Sequence, residues 1–453
     1  MAERRETPAT GAGRAIVTYS RGLHALAVIR SLGRRGVEVI AGDEVAVTPG
    51  GMSKYAVDRF TYPNPLTDRE GFLAACEDAI ARFDPGRPEV PYVLMPVHQE
   101  TLVVAAEQKR LGARIRLPLA PADAFDLVQH KRRFHEQADA RGWPVPHTWR
   151  FGSVDEVRAH APSLPYPVFV KHPIAVSGIG VHMAEGPEAL VAIVQELVDE
   201  YRLGSDDFPV VQEVAEGEDY CVAALYDHGE ARALVSYRNV MRYPREGGPG
   251  AIRETVKAPE LERIARRILD DVGWHGVAQV DFRWSGEEQD PALVLEVNPR
   301  FFGGVQQLIE SGVDYPWLLF RLAVDGRVEA PGAIRYDVRT EKPVLGLLAT
   351  IEEIAESDER MRQAEKAWQQ ARASLREGHT WPALRSWFTG LRESMDVGGR
   401  IEQARKLLLE NEENVSLLFD PDDPLPVLGY VYPLALFVRH GRLSQALLSG
   451  AEG

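Results

Sequence analysis

Two neighbouring segments near residue 290 carry the residues best suited to chemistry. Residues 276–300, GVAQVDFRWSGEEQDPALVLEVNPR, contain two β-like runs on either side of a polar turn at 285–291. A hairpin centred on this turn without a bulge places Asp281 opposite Glu296, with Asn298 on the same face because strand side chains alternate. Two carboxylates directly across a ladder repel each other, and a divalent cation would reverse that effect. We therefore predict that these three side chains bind Mg²⁺, the alternative being an ordinary solvated sheet face.

A lysine at the end of an apolar strand is the second candidate. Lys171 ends the run VFVK, just before a turn that contains Ser177, Gly178, Ile179 and Gly180. Glycine lets backbone amides approach phosphate oxygens, and a compact ammonium group beside them would neutralise the charge of those oxygens. We predict that this lysine and this turn bind phosphate, although each element alone is more typical of a surface hairpin.

Polar residues also follow the strand-like run VVQEV. Gln212 and Glu213 lie where this strand ends, and the free backbone donors and acceptors at the end of a strand could form hydrogen bonds with the edge of an adenine base. The carboxylates of Glu218 and Asp219 come a few residues later, where a carboxylate could bind ribose hydroxyls. A polar turn between two strands explains the same residues equally well, so this prediction depends on its context.

Two arginines complete the set of candidates. A guanidinium group binds carboxylates and phosphoryl groups through paired hydrogen bonds. Arg253 follows the glycine-rich loop at 247–250, and Arg300 lies two residues beyond Asn298, so that it can share the face of that residue. We predict that Arg253 and Arg300 hold a carboxylate or a transferring phosphoryl group.

The first elements that must position these residues indicate a parallel sheet. Residues 15–41 read as a strand, a helix and a second strand, and Tyr92–Met95 reads as a further buried strand. Open α/β sheets bind ligands at the carboxyl ends of their strands. Arg21, His98 and Glu100 follow such strands and are candidate substrate contacts, which a plain loop role would equally explain.

A second unit begins near residue 121 and changes character after about residue 325. Residues 190–201 have the apolar spacing of an amphipathic helix. The runs at 210–213, 220–226 and 232–237 are interpreted as successive strands of an antiparallel meander. The later region is charged and helix-forming, with Trp368, Trp381, Trp387 and Phe388 as its expected apolar anchors.

The composition excludes several classes of protein. The chain has 453 residues, 52 of them Lys or Arg and 67 Asp or Glu, which gives a formal net charge of −15. Such an acidic protein repels phosphate backbones and anionic lipid, so we expect no nucleic-acid partner and no membrane partner. Two cysteines allow no disulfide framework, and no apolar run is long enough to cross a bilayer, so we expect a cytoplasmic protein.

A nicotinamide-binding oxidoreductase is also disfavoured. The Gly-Ala-Gly sequence at 11–13 precedes the first strand, whereas a dinucleotide fingerprint should follow it. The residues after that strand, SRGLHA, lack the required glycine spacing.

Taken in order, four fragments resemble the ATP-grasp superfamily, especially its carboxylate–amine ligases. They are HKRRFHEQADARGWPVP, VFVKHPIAVSGIG, VVQEVAEGEDY and GVAQVDF…LVLEVNPRFFGG, and the resemblance is strongest between residues 131 and 304. Each fragment alone is weak, but their order and spacing are specific. The resemblance implies α/β and α+β architecture, with a pre-ATP-grasp domain at 1–120 and an ATP-grasp domain at 121–330 that has its lid at about 145–212. The charged, helix-forming sequence of the later region predicts a mostly helical extension at 331–453.

The same resemblance implies a role for each motif residue. Lys131 and Lys171 would contact the ATP phosphates, with the turn of Ser177, Gly178 and Gly180 closing over them. The adenine would be bordered by Gln212, Glu213 and Ala215, and the ribose would be bound by Asp219. Mg²⁺ would be held by Asp281, Glu296 and Asn298. Arg253 and Arg300 would hold the acyl-phosphate region or the acceptor carboxylate.

The function expected from this resemblance is an ATP-dependent carbon–nitrogen ligase. It would activate a carboxylate as an acyl phosphate and join it to an amine, which could belong to an amino acid, with release of ADP and phosphate. An alternative is an ATP-grasp enzyme that activates bicarbonate or an enolic carbonyl before amine addition. A nucleotide-binding module without catalysis is disfavoured because the lysines and carboxylates are present. The C-terminal region is expected to pack on the core, and roles in shaping the substrate entrance or in forming a homodimer are left open.

Overall fold

The computed structural model describes residues 12–174, 180–245, 248–287, 289–357, 359–376, 380–394 and 414–429. These residues divide into two compact units. The first contains the described parts of 1–240, 253–338 and 417–453, and the second contains those of 241–252 and 339–416. The domain boundaries expected from the sequence, at 120 and 330, stay a prediction.

The N-terminal part of the first unit is built on a parallel sheet with strand order β3-β2-β1-β4. Its elements are β1 (Arg14–Val17), α1 (Leu23–Arg34), β2 (Glu38–Asp43), α2 (Pro49–Met52), β3 (Ala56–Thr61), α3 (Arg69–Arg82), β4 (Tyr92–Met95), α4 (Glu100–Ala106) and α5 (Gln108–Leu111). Because β2 and β3 lie on one side of β1 and β4 lies on the other, the strand order reverses between β1 and β4. The carboxyl ends of these two strands therefore form the crevice where open α/β sheets bind ligands.

The next segment of the first unit forms a small antiparallel sheet with strand order β5-β8-β6-β7. Its elements are α6 (Ala122–Gln129), α7 (Lys131–Arg141), β5 (Thr148–Trp149), α8 (Val154–His160), a 3₁₀ turn (Ala161–Ser163), β6 (Val168–Lys171), β7 (Val181–Ala184), α9 (Pro187–Tyr201) and β8 (Val210–Glu213). Leu190, Val194 and Leu197 of α9 cover the sheet, as their spacing predicts. The predicted meander is wrong for its first strand, because β8 pairs with β5 and β6 and not with the strands that follow it.

The large sheet of the first unit has the order β13-β12-β9-β10-β11. Its elements are β9 (Glu218–Asp227), β10 (Glu230–Arg242), β11 (Gly250–Thr255), α10 (Pro259–Asp271), β12 (Gly276–Trp284), β13 (Leu293–Asn298), α11 (Val305–Glu310) and α12 (Tyr315–Asp325). Val280 and Phe282 pack in one core cluster with Ile264 and Ile268 of α10. Since side chains alternate along a strand, Asp281 points to the opposite face.

The second unit is mostly helical in its described residues, as the charged, helix-forming sequence predicts. It contains β14 (Arg339–Glu341), α13 (Pro343–Ser357), α14 (Glu359–Arg376), α15 (Thr380–Ser394) and β15 (Val415–Ser416), with β14 and β15 paired in parallel. The expectation that four aromatic side chains are buried anchors is wrong for three of them, since Trp381 is 80% exposed, Trp387 50% and Phe388 59%. The fourth, Trp368, is half-buried. Within the described ranges, no helix combines the length and the apolar character needed to cross a membrane.

A late segment of the chain is tied to the first helix by a buried ion pair. Arg30 of α1 donates from Nε to Asp423 Oδ2 at 2.9 Å and from Nη2 to the Leu418 carbonyl at 3.0 Å. Asp423 also accepts hydrogen bonds from the Ser53 hydroxyl at 2.7 Å and from the Lys54 backbone amide at 2.8 Å. Residues 417–429 are thereby joined to α1 and to the residues that follow α2 within the first unit.

Candidate active site

The hairpin of β12 and β13 brings the three expected metal ligands together. The register pairs Asp281 with Glu296 and Gln279 with Asn298, as the turn-centred alignment predicts. Beyond Asp281, a bulge shifts the register so that Phe282 pairs with Val294, and the assumption of an unbulged hairpin is wrong there. The bulge lies on the turn side of the carboxylates, so the shared face of the three side chains is kept.

The amide of Asn298 lies between the two carboxylates. Its Nδ2 donates to Asp281 Oδ2 at 2.9 Å and to Glu296 Oε1 at 3.4 Å, while its Oδ1 accepts from Arg300 Nη2 at 2.9 Å. Gln279 Nε2 donates to the other oxygen of Asp281 at 2.6 Å. Nδ2 therefore occupies the position between the carboxylates that a cation would take, and ligation through Oδ1 requires the amide to turn over.

Two buried lysines face this acidic pair. Lys131 Nζ lies 3.5 Å from Glu296 Oε2. Burial alone would raise the pKa of Glu296, but Lys131, Lys171 and Arg300 hold that pKa below its ordinary value. The carboxylate is therefore ionised at neutral pH and its charge is balanced by the surrounding cations.

Lys171 is buried at the end of β6 and titrates closer to neutrality than an ordinary lysine. Burial lowers its pKa to about 8; Glu296 opposes this effect, and Lys131 and Arg283 add to it. Its Nζ donates to Gln212 Oε1 at 2.6 Å. Because the ammonium group of Lys171 is poorly solvated, it attracts an anion that enters this site strongly.

The side chain of Gln212 orients this lysine. Its Nε2 donates to His135 Nε2 at 3.1 Å and to Thr148 Oγ1 at 2.9 Å. Burial, with the charge of Lys171, lowers the pKa of His135 to about 3, so the ring is neutral and its Nε2 can accept. Sequence reasoning missed His135 and Thr148. The spacing of four residues from Lys131 to His135, one helical turn on α7, is the signal that could have found the histidine.

Glu213, Ala215 and Asp219 lie where the chain passes from the small antiparallel sheet to the large sheet. The Glu213 carboxylate accepts from the His147 backbone amide at 2.8 Å, which ties it to β5 instead of leaving it free. Ala215 is half-buried in the connecting loop. Asp219 Oδ1 lies 3.1 Å from Nη1 of Arg283, its partner across β9 and β12. Nucleotide contacts by these three residues stay a prediction, and Asp219 would have to share its carboxylate with Arg283.

The glycine turn is described only at its last residue. Gly180 has a φ of +71°, and a Cβ there would lie 2.7 Å from the Cβ of His172. The His172 amide donates to the Gly180 carbonyl at 2.8 Å and closes the turn. Ser177 and Gly178 lie outside the described residues, so their expected role is untested.

The two arginines differ in position. Arg300 is 8% exposed, and its buried Nε makes no hydrogen bond to any described residue, while its Nη2 is bound to Asn298. Arg253 is 2% exposed and lies close enough to Tyr237 to act on its titration. Tyr237 in turn bonds through its hydroxyl to Gln279, which donates to Asp281. Both guanidinium groups thus connect to the carboxylate face, Arg300 directly and Arg253 through other side chains.

The crevice between β1 and β4 adjoins Arg300. Val97, after β4, forms a β-bridge with Phe301, so His98 and Arg300 become neighbours. Burial lowers the pKa of His98 well below its ordinary value and Arg300 lowers it further, so the ring is neutral. His98 (φ +65°) stacks on Tyr19 (φ +57°) with ring centroids 4.3 Å apart. Left-handed backbone at two non-glycine residues is costly and is common at functional sites.

The other two candidates from the N-terminal domain are engaged within that domain. Arg21 Nε donates to Asp43 Oδ1 at 2.8 Å, so its charge is balanced away from the carboxylate face. The Tyr62 hydroxyl donates to Glu100 Oε1 at 2.5 Å, and burial raises the pKa of Glu100 to about 8. Of the three candidates, only His98 lies beside a residue of the hairpin motif.

Comparison with known sequences finds relatives of part of the chain. A family model described as "ATP-grasp in the biosynthetic pathway with Ter operon" matches residues 207–343. The carbamoyl phosphate synthase large chain of Clostridium beijerinckii is 23% identical over 283 residues, which are 60% of this chain and 24% of that protein. The chain therefore spans about a quarter of the length of this curated relative.

Comparison with solved structures finds the same fold at low sequence identity. The biotin carboxylase domain of the 2-oxoglutarate carboxylase of Hydrogenobacter thermophilus, solved with MgADP and bicarbonate, gives a TM-score of 0.56 at 17% identity, covering 72% of this chain and 73% of that one. The L-amino acid ligase of Bacillus licheniformis gives a TM-score of 0.54 at 15% identity, covering 73% of this chain and 79% of that one. These similarities confirm the fold expected from the four sequence fragments.

Proposed function

Because this chain has the ATP-grasp fold, we propose that it is an ATP-dependent carbon–nitrogen ligase that activates a carboxylate as an acyl phosphate. The carboxylate oxygen attacks the γ-phosphorus of ATP and ADP leaves. The amine nitrogen then attacks the acyl carbon, loses a proton and expels phosphate, which keeps the oxygen that came from the carboxylate.

The observation that carries this proposal is the close association of a carboxylate pair with buried cations on one sheet face. Asp281 and Glu296 lie opposite each other, while the charges of Lys131 and Lys171 act on Glu296. Phosphoryl transfer requires charge neutralisation and alignment more than covalent participation by the protein. A binding module without catalysis has no need for this arrangement.

The donor set fits a magnesium–nucleotide complex. Mg²⁺ takes one or two protein carboxylates and completes its coordination with water and phosphate oxygens. Asp281 and Glu296 supply the carboxylates, and Asn298 supplies an amide oxygen once its side chain has turned over. Bound there, Mg²⁺ would neutralise charge on the transferring phosphoryl group. Lys131 and Lys171 would bind the phosphates directly, and Gln212 holds the latter ammonium in place.

The carboxylate substrate is proposed to bind between the hairpin and the crevice of the N-terminal sheet. Arg300 offers its Nε there, and it is held by Asn298 on one side and bordered by His98 on the other. The buried rings of His98 and Tyr19 exclude water from this side. Exclusion of water matters because an acyl phosphate hydrolyses easily once it is exposed.

A second candidate activates bicarbonate instead of an organic carboxylate. It is favoured by the similarity to the biotin carboxylase domain solved with bicarbonate and to the carbamoyl phosphate synthase large chain. The chemistry on the phosphoryl side is the same, so the residues proposed above keep their roles. The similarity to an L-amino acid ligase favours an amino acid as one substrate of the first candidate. A homodimer is also proposed, and the mass of the purified protein in solution tests it.

Isotope transfer tests the proposal. The protein is incubated with ATP, Mg²⁺, an amine panel and carboxylates labelled with ¹⁸O, and the released phosphate is analysed by mass spectrometry. One ¹⁸O per phosphate is expected for the correct carboxylate, and a parallel series with labelled bicarbonate distinguishes the second candidate. The Glu296→Ala variant, run alongside, should release no labelled phosphate. ADP formation with all label retained in the organic product would contradict acyl phosphate formation.

A further inference from the structure

A second group of metal-binding side chains lies at the far end of the large sheet. Asp227 ends β9, His228 follows it in the turn to β10, and His275 directly precedes β12. One donor atom from each of these residues lies within 4.8 Å of the other two. Asp281 lies six positions after His275, and at about 3.3 Å per strand residue this is a distance of about 20 Å. This group is therefore distinct from the site proposed to bind the nucleotide.

The three side chains present the atoms that a metal requires. The His228 backbone amide donates to His275 Nδ1 at 3.2 Å, so this nitrogen carries a lone pair directed at the turn. A metal could replace this long backbone contact, and water can satisfy the freed amide because His228 is exposed.

The carboxylate of Asp227 is held in place by a neighbour on β10. Arg232 donates to Asp227 Oδ2 from Nη2 at 2.8 Å and from Nε at 3.3 Å. Both bonds go to Oδ2. Since no described residue donates a hydrogen bond to Oδ1, that oxygen can bind a metal ion. Metal-binding carboxylates are commonly oriented by such outer hydrogen bonds.

The backbone around the cluster is fixed. The Gly229 amide donates to the Trp274 carbonyl at 2.7 Å, which joins the turn to the segment before β12. Gly276 has a φ of +84°, and a Cβ there would lie 2.7 Å from the Pro118 carbonyl oxygen. His275 is thus held between two constrained neighbours. The exposed His228 ring stacks on it at a centroid distance of 4.1 Å and can turn without loss of core packing.

We propose that Asp227, His228 and His275 form a binding site for a divalent transition ion of the zinc class. Two imidazole nitrogens and one carboxylate oxygen suit Zn²⁺, whereas Mg²⁺ and Ca²⁺ prefer sites made of oxygen. Three protein ligands leave one position for water or for a donor from a partner molecule. The bound ion would join the β9–β10 turn to the start of β12.

Zinc titration of the full chain tests the site. Protein stripped with a chelator is titrated with Zn²⁺ against a chromogenic competitor, and one site per chain is expected. His228→Ala and His275→Ala should each weaken binding at least tenfold, whereas His182→Ala, which removes an exposed histidine elsewhere, should not change it. Glu296→Gln should also bind Zn²⁺ as the unmodified chain does, because its hairpin site is separate.

A spectroscopic measurement distinguishes loss of the metal site from loss of folding in the variants. Co²⁺ is added in place of Zn²⁺, and the visible absorption of nitrogen-coordinated cobalt should appear in the unmodified chain and vanish in a folded His275→Gln variant. Absence of binding by the unmodified chain would overturn the proposal. So would histidine variants that bind as tightly as the unmodified chain, which would indicate an adventitious ion only. Loss of binding in Glu296→Gln would also overturn it, because that result would place the ion at the hairpin.

Discussion

Replacing Glu296 by Gln separates its two proposed roles, as a metal ligand and as a partner of the buried lysines. Its Oε2 lies 3.5 Å from Lys131 Nζ. At that distance Coulomb's law gives about 1 kcal/mol in water and about 5 kcal/mol at an effective dielectric constant of about 20. The side chain of Glu296 is 37% exposed, so we take about 2 kcal/mol, or about 30-fold in a binding constant.

The sign of the effect depends on the metal. Without Mg²⁺, the Glu296→Gln variant lacks the carboxylate that competes with phosphate for Lys131 and Lys171. It also lacks the negative charge that repels phosphate. We therefore expect ADP to bind about 30-fold more tightly in EDTA. With Mg²⁺, the variant lacks a ligand, so the gain in ADP affinity on adding Mg²⁺ should be lost, as should turnover.

Calorimetric titration of ADP, with and without Mg²⁺, measures both effects without knowledge of the other substrates. Glu287→Gln is the matched control, because it removes the same charge from an exposed position in the turn of the same hairpin. Thermal unfolding verifies that both variants are folded. The reasoning is refuted if Glu296→Gln binds metal-free ADP no more tightly than the unmodified chain, or if Mg²⁺ strengthens ADP binding equally in both.

Three further outcomes follow from individual contacts. Because burial lowers the pKa of Lys171 to about 8, its ammonium form is lost as the pH rises through that value, so ADP affinity should fall across this range. Lys171→Ala should abolish turnover and this pH dependence, and a variant that keeps either would contradict the assignment. Gly180→Ala should lower the free energy of unfolding in urea by about 1–2 kcal/mol because of its left-handed backbone, while Gly186→Ala, with extended backbone and open space, should have little effect. Asp423→Ala should cost about 3–5 kcal/mol by stranding a buried guanidinium, whereas equal stability of this variant and the exposed-site control Asp422→Ala would refute that assignment.

The sequence was sufficient to predict which side chains of the hairpin share a face, although the register has a second contribution. The pairs next to the turn, Phe282 with Val294 and Arg283 with Leu293, would by themselves place residue 295 opposite Asp281, and the bulge there brings Glu296 to that position. The bulge at residue 295 could not be predicted, since one unpaired residue leaves no trace in the apolar pattern. The strands that pair with β8 also could not be predicted, because the run VVQEV indicates a buried strand but not which distant strands it joins.

The same limit applies to contacts made across the fold. The sequence made His98 a candidate only because it follows a strand. Its proximity to Arg300 depends on the β-bridge between Val97 and Phe301, which are about two hundred residues apart in sequence. The network of Gln212 with His135 also depends on two separate elements meeting. Spacing predicts which side chains share one face of one element, and packing decides which faces meet.

The ion pair of Arg30 with Asp423 sets an order of events during protein synthesis, because its members are 393 residues apart. At about 5–20 residues per second, α1 emerges from the ribosome about 20–80 seconds before its acceptor exists. During that interval, a helix whose other face is apolar carries a guanidinium without its final acceptor. The first compact unit therefore acquires this buried ion pair only after residue 423 has been synthesised.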